Sequence, residues 1–318
     1  MTSLPQRGIH ATLKIPIFQA AVIHFAEERN AIAYMVRLRW PDGIVKCPTC
    51  GSTDVTFLST RDLFQCKATH PKRQFSIKVG TVLESSPIPL GKWLLTAWML
   101  MNCRNGISSY EVARTIGVTQ KSAWFMLHRL RLAMQDFQPM KLTGTVEADE
   151  AYYGGNPRNK HVRRRNLQSD AKQPIFGMVE RGGRIVALPT HDARESTVLP
   201  LLTAHVDLDA TLITDAFTAY DRVQGYNHQR INHHQQRYVA GRIHTNTIEN
   251  FWSCLKRVLK GTYVSVTRKH LMAYVQEQVS RFNHRKKALY SEEMRFQAVL
   301  GGMVGKRLTY KQLIGRMA

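Results

Sequence analysis

The chain has 318 residues, with 45 Lys and Arg against 23 Asp and Glu, a formal net charge of +22. That length allows two or three domains with cores of their own. A surplus this large repels itself within a compact fold and fits a polyanionic partner, nucleic acid first. The longest strongly apolar run, 93–101, is too short to span a bilayer, so no membrane role is expected.

Neither a secretory signal pattern nor a disulfide framework is legible. Of the five cysteines, three cluster and two, Cys103 and Cys254, stand alone. The expected location is the cytoplasm, at the nucleoid. Three segments are expected: 1–85, 86–138 and 139–318.

In the first segment Cys47-Pro-Thr-Cys50-Gly51 is followed, fifteen residues on, by Cys66 and then by His70. Zinc takes four ligands in a tetrahedron, and a CxxC turn supplies two of them from one knuckle. Residues 55–61 and 63–66 read as a hairpin and 74–79 as a third strand. The pattern predicts a zinc ribbon holding one structural Zn²⁺ on Cys47, Cys50, Cys66 and His70, the histidine standing where an all-cysteine ribbon has a fourth Cys.

The second segment reads as two helices. Ser108 or Ser109 offers a cap for the first, Gly117 a stop, and Thr119 a cap for the second. Two short helices about a glycine turn match the helix-turn-helix pattern, whose second helix enters the major groove. Lys121, Arg129 and Arg131 on that helix are the expected DNA contacts.

The third segment opens with Val146-Glu-Ala-Asp149-Glu150, in which strand alternation sets Glu147 and Asp149 on one face and Val146 and Ala148 on the other. A basic loop follows, with Arg158, Lys160, Arg163, Arg164 and Arg165 placed to grip phosphates. Residues 175–180 and 184–188 about Gly182-Gly183 read as a hairpin, 196–206 as a helix, 211–214 as a buried strand ending in Asp215, then a helix through Tyr220 and a His-rich strand region, 228–238. The last feature is His244-Thr-Asn-Thr-Ile-Glu249-Asn-Phe-Trp-Ser-Cys-Leu-Lys256. At helical period Ile248, Phe251, Trp252, Leu255 and Leu259 share one face, and Asn246, Glu249, Ser253, Lys256 and Lys260 the other. The order of strands, helices and terminal acids predicts an α/β, ribonuclease-H-like mixed-sheet domain in which Asp149 and Asp215 are neighbours.

Five stretches together resemble the insertion-sequence transposases of the zinc-ribbon, integrase-like DDE family: RWPDGIVKCPTCG (39–51), QFSIKVGTVLES (74–85), VEADEAYYGG (146–155), ITDAFTAY (213–220) and HTNTIENFWSCLKRVLKG (244–261). The resemblance implies that Asp149, Asp215 and Glu249 form the acid triad and that Lys256 is the lysine of the last motif. Glu147 and Glu150 remain alternatives for the first acid, and Asn246 or Asn250 for the third position. Glu249 is preferred there because a carboxylate binds a hard divalent cation better than an amide does. The implied chemistry is metal-assisted cleavage and joining of DNA, with two Mg²⁺ or Mn²⁺ ions roughly 3.5–4 Å apart. The implied partners are double-stranded DNA, as terminal inverted repeats and as target, and a second copy of the chain in a homodimer or larger synaptic assembly. Two rivals share the sequence features: a non-catalytic DNA-binding regulator, and a nuclease that hydrolyses without joining.

Overall fold

The structure is a computed structural model in which residues 17–135, 140–154, 172–231, 244–285 and 290–316 are described. They form two compact units, one comprising 1–136 with 290–318 and the other 137–289.

In the first unit α1 (Phe18–Phe25) and α2 (Glu28–Arg39) precede an antiparallel three-stranded sheet of β1 (Val55–Leu58), β2 (Leu63–Cys66) and β3 (Gln74–Phe75), in that order. The third strand expected over 74–79 stops at Phe75. The Arg39 guanidinium donates to the carbonyls of Ile77 and Val79 at 3.0 and 2.8 Å, so these groups are satisfied outside the sheet. The apolar run too short for a membrane forms the middle of α3 (Leu90–Asn102), a helix buried around most of its circumference. Its first N–H groups find their acceptor on another helix: Glu28 takes Leu90 N at 2.7 Å and Gly91 N at 3.2 Å. Among the described residues no helix is long and apolar enough to cross a membrane.

Next come α4 (Ser109–Ile116) and α5 (Gln120–Met134). Ser108 and Glu111 make a reciprocal capping box, Gly117 ends α4 in the left-handed region at φ 63°, and Thr119 Oγ1 accepts from Ser122 N at 3.1 Å. The caps read from the sequence are the caps observed.

The second unit is built on β4 (Thr145–Tyr153), β5 (Gln173–Glu180), β6 (Ile185–Pro189), α6 (Glu195–His205), β7 (Thr211–Asp215), β8 (Asn227–Ile231), α7 (Asn246–Arg257) and α8 (Arg268–Asn283). The strands lie in the order β6-β5-β4-β7-β8. The β4–β5 and β5–β6 pairs are antiparallel, and the β4–β7 and β7–β8 pairs are parallel. This is an α/β unit with a mixed sheet. In place of the expected helix through Tyr220 there is a single 3-10 turn, Thr218–Tyr220. Val146, Ala148, Phe176 and Met178 pack against α6 on one face, while Ala151, Ile175 and Val179 pack against α7 and α8 on the other. The basic loop Arg158–Arg165, with Arg163, Arg164 and Arg165, and most of the His-rich region lie outside the described residues.

The chain then returns to the first unit with α9 (Glu292–Gly301) and α10 (Tyr310–Ile314). Phe296, Val299, Leu300 and Met303 complete the core around α3 and α5. The third sequence segment was expected to run to residue 318; residues 290–318 instead cluster with the first unit.

Candidate active site and zinc cluster

At the mouth of the small sheet the ligand atoms of Cys47, Cys50, Cys66 and His70 lie within 4.8 Å of one another. Cys47 Sγ is 3.5 Å from His70 Nε2, and Cys50 Sγ is 3.7 Å from Cys66 Sγ. A tetrahedron with metal–sulfur bonds of about 2.3 Å has edges of about 3.8 Å, so the spacing suits zinc. His70 Nδ1 donates to the carbonyl of Pro71 at 2.7 Å, which keeps the ring proton on that nitrogen and leaves Nε2 to face the thiols. Burial pushes the Cys47 thiol up, but the N–H groups of Cys50 and Thr49 and the neighbouring thiols outweigh it and bring the group to about 7. These residues fit a structural zinc ion, and thiolates are what it binds.

The second site lies on the face of the large sheet that α7 covers. The parallel pairing of β4 with β7 sets Thr145 opposite Thr211 and Glu147 opposite Ile213. Continued two residues further, the same register brings Asp149, in the middle of β4, level with Asp215 at the carboxyl end of β7. Trp252 Nε1 on α7 donates to Asp149 Oδ2 at 3.0 Å, and Glu150 N donates to Oδ1 at 2.8 Å. Asp215 Oδ1 accepts from Phe217 N at 3.0 Å, and Glu249 Oε1 accepts from Thr245 Oγ1 at 2.8 Å. Asp149 is pushed up to about 6, first by burial and then by the charges of Asp215 and Glu249, against the two donated hydrogen bonds. The structure thus brings Asp149, Asp215 and Glu249 within electrostatic reach of one another. Lys256 is exposed two turns along α7, on the solvent face it shares with Asn246, Glu249, Asn250 and Ser253.

The alternatives for the first acid separate cleanly. Glu150 points to the opposite face of the sheet, where Tyr220 Oη donates to its carboxylate; burial and then the charges of Asp149 and Asp215 hold it up at about 7. Glu147 shares the face of Asp149 but is fully buried, with both oxygens engaged by Arg181, Thr247 and Ile248. Sequence reasoning missed Trp252 as a partner of Asp149 and Gly177 as the residue that admits it. A Cβ on Gly177 would lie 2.6 Å from the Trp252 ring. The signal was present in the β4–β5 register, which sets Gly177 opposite Asp149, but a register is not readable from one strand alone.

Of the expected DNA contacts, Lys121 is exposed, its ammonium 5.0 Å from the centre of the Tyr310 ring. Arg129 and Arg131 are not available. Arg129 is 6% exposed and spends its guanidinium on the carbonyls of Leu308 and Glu84, both at 3.1 Å, and Arg131 is 1% exposed. The expectation of three DNA contacts on this helix thus keeps Lys121 alone; Leu308, in the returning C-terminal segment, is one of the groups that takes Arg129.

Residues 141–283 match the family described as ISXO2-like transposase domain, and residues 26–70 match the transposase zinc-ribbon domain. Together they span more than half of the chain. The chain belongs to the zinc-ribbon DDE transposases of insertion sequences. This transposase is similar to a Halobacterium salinarum protein described as an uncharacterized protein in transposable element ISH50, with 29% identity over 270 residues, 79% of this chain and 90% of the relative. It is also similar to an uncharacterized transposase-like protein of Haemophilus influenzae, with 29% identity over 103 residues, 32% of this chain and 82% of that one. Both acid-bearing strands and α7 fall within the matched transposase domain, and all four zinc-cluster residues within the matched ribbon.

Proposed function

We propose that this transposase binds the terminal inverted repeats of its element, cuts DNA at the element's ends and joins the freed ends to target DNA. The observation that carries this reading is the convergence of Asp149, Asp215 and Glu249: burial of Asp149, with the charges of Asp215 and Glu249 added to it, lifts its carboxyl to about 6. A site that raises the energy of its own carboxylates favours a cation, and an all-oxygen donor set suits Mg²⁺ or Mn²⁺. A pair of such ions, when bound, activates the attacking oxygen and neutralises charge on the leaving one.

The protein's share is positioning. Trp252 and Glu150 N hold the two oxygens of Asp149, and Phe217 N orients Asp215. Lys256, two turns beyond Glu249, contacts a DNA phosphate as a point charge. In the first displacement water forms a bond to phosphorus, the bond to the 3′ oxygen breaks, and a 3′ hydroxyl is released. In the second, that hydroxyl attacks a target phosphodiester and a target 3′ oxygen leaves. The strand order and directions of the second unit support a ribonuclease-H-like fold. The capped pair α4 and α5, with Lys121 at the exposed start of α5, supports a helix-turn-helix that works beside the ribbon on the terminal repeats. Two ends must be held together, which favours a dimer or larger assembly.

The test uses the purified transposase, Mg²⁺ or Mn²⁺, and a labelled duplex ending in the element's terminal repeat. Wild type is compared with Glu249→Ala and Asp149→Ala for binding, nicking and joining. The expected result is joining in wild type and binding without cleavage in both variants. Sequence-specific binding with no cleavage by wild type refutes the catalytic reading and favours a regulator. Nicking without joining reduces the enzyme to a nuclease.

A further inference from the structure

Among the described residues of the second unit Glu147 is the carboxylate with no solvent exposure, and it sits on the same sheet face two residues before Asp149. Its Oε1 accepts from Arg181 Nε at 2.7 Å and Thr247 Oγ1 at 2.9 Å. Its Oε2 accepts from the backbone N–H groups of Thr247 and Ile248 at 2.8 and 3.0 Å. A carboxylate has about four lone-pair sites, and four donors fill them. Nothing is left over for a metal ion.

Thr247 and Ile248 are the second and third residues of α7. The helix's own cap residue, Thr245, makes no capping bond and instead spends its hydroxyl on Glu249. The N-terminal N–H groups of α7 are therefore capped from another element, by a negative charge at the positive end of the helix dipole. Arg181, at the end of the β5 side of the hairpin, closes the arrangement by also donating to the carbonyl of His244 at 2.6 Å, just ahead of the helix. One turn further along, Trp252 bonds Asp149. Two anchors on one strand fix both the seat of α7 and its rotation, and Glu249 lies between them.

We infer that Glu147 is a positioning residue of the metal site: it locks the first turn of α7 to β4 so that Glu249 is held opposite Asp149 and Asp215. This rests on the proposed metal-dependent reading. Outer partners that orient ligands matter to metal affinity by roughly 10–100-fold.

The test compares the full-length protein with Glu147→Gln, Thr247→Val and Asp149→Ala. Mn²⁺ binding is followed by electron paramagnetic resonance, and amide hydrogen exchange over the start of α7 by mass spectrometry. Gln turns an amide N–H toward the helix donors, whereas Val removes one bond and leaves the buried carboxylate in place. The expected result is faster exchange at the start of α7 and Mn²⁺ binding weakened roughly 10–100-fold in Glu147→Gln, with a smaller change in the same direction in Thr247→Val. Asp149→Ala should lose the site while keeping slow exchange. If Glu147→Gln does not fold, Thr247→Val carries the test alone. Unchanged exchange and unchanged Mn²⁺ affinity in both clamp variants overturns the inference. Complete loss of Mn²⁺ in Glu147→Gln with wild-type binding in Thr247→Val overturns it too, by making Glu147 a ligand. A wild type that binds no Mn²⁺ sinks the catalytic reading instead, while the exchange comparison still judges the clamp.

Discussion

Burial and the neighbouring acids disfavour Asp149 as an anion. With its carboxyl lifted from the ordinary 3.8 to about 6, the folded state keeps a proton that the unfolded chain gives up between those values. Stability from this group therefore falls as pH rises across that window and is lowest above about 6, by about 3 kcal/mol. Asp149→Asn is expected to raise the metal-free melting temperature at neutral pH and to abolish the stabilisation that Mn²⁺ gives the wild type. A calorimetric scan with and without Mn²⁺ checks both, and a variant that melts lower than wild type in chelator contradicts the account. Gly177 serves the same acid by leaving room for Trp252. Gly177→Ala forces the indole away from a contact that would be 2.6 Å, and with it the bond to Asp149. Because displacements near 1 Å at a reacting centre cost about 100-fold, strand joining should drop at least tenfold at unchanged DNA affinity. Single-turnover joining measured beside a binding titration separates the two effects.

Two helices, α3 and α7, borrow their caps. Glu28 on α2 satisfies the start of α3 across 62 residues of sequence, and Glu147 on β4 satisfies the start of α7 across 100 or more. Each carboxylate thereby fixes where one element sits on another. The ribbon is held differently. Its sheet is small, and β3 is only two residues long, so four metal-ligating side chains supply what little core it lacks. Cys66→Ser, or stripping the metal with a strong chelator, is expected to melt residues 47–75 while the five-stranded sheet keeps its circular dichroism. Zinc content by mass spectrometry and hydrogen exchange of the ribbon check the pair. A ribbon equally protected without metal would show that its apolar contacts suffice.

For the molecule as a whole the charge of +22 sets how it meets a polyanion. Binding to duplex DNA should weaken steeply with salt, log K falling linearly with log salt concentration. Lys121→Ala is expected to reduce that slope by about one, as the loss of one phosphate contact does. Arg129→Ala should leave the slope alone and lower the melting temperature of the first unit, because its guanidinium holds backbone carbonyls on Leu308 and Glu84. Salt-dependent fluorescence anisotropy with a melting curve for each variant decides between them. A slope that moves with Arg129 and not with Lys121 reverses the assignment.

Much of this was legible without coordinates, for reasons tied to particular residues. Metal-ligand spacing exposed Cys47, Cys50, Cys66 and His70; cap chemistry exposed Ser108, Gly117 and Thr119; helical period sorted α7 into a buried face through Ile248 and Trp252 and an exposed one through Glu249 and Lys256. These are local patterns, set by geometry within a few residues, and a single sequence contains them whole. What lay beyond it depended on contacts between distant segments. What engages Glu147 and Glu150, the alternatives to Asp149, was decided by Arg181, Thr247 and Tyr220, each tens of residues away. The burial of Arg129 was decided by partners far from it in sequence, the carbonyls of Leu308 and Glu84. Periodicity tells which residues share a face of one element; only the packed chain settles what that face meets.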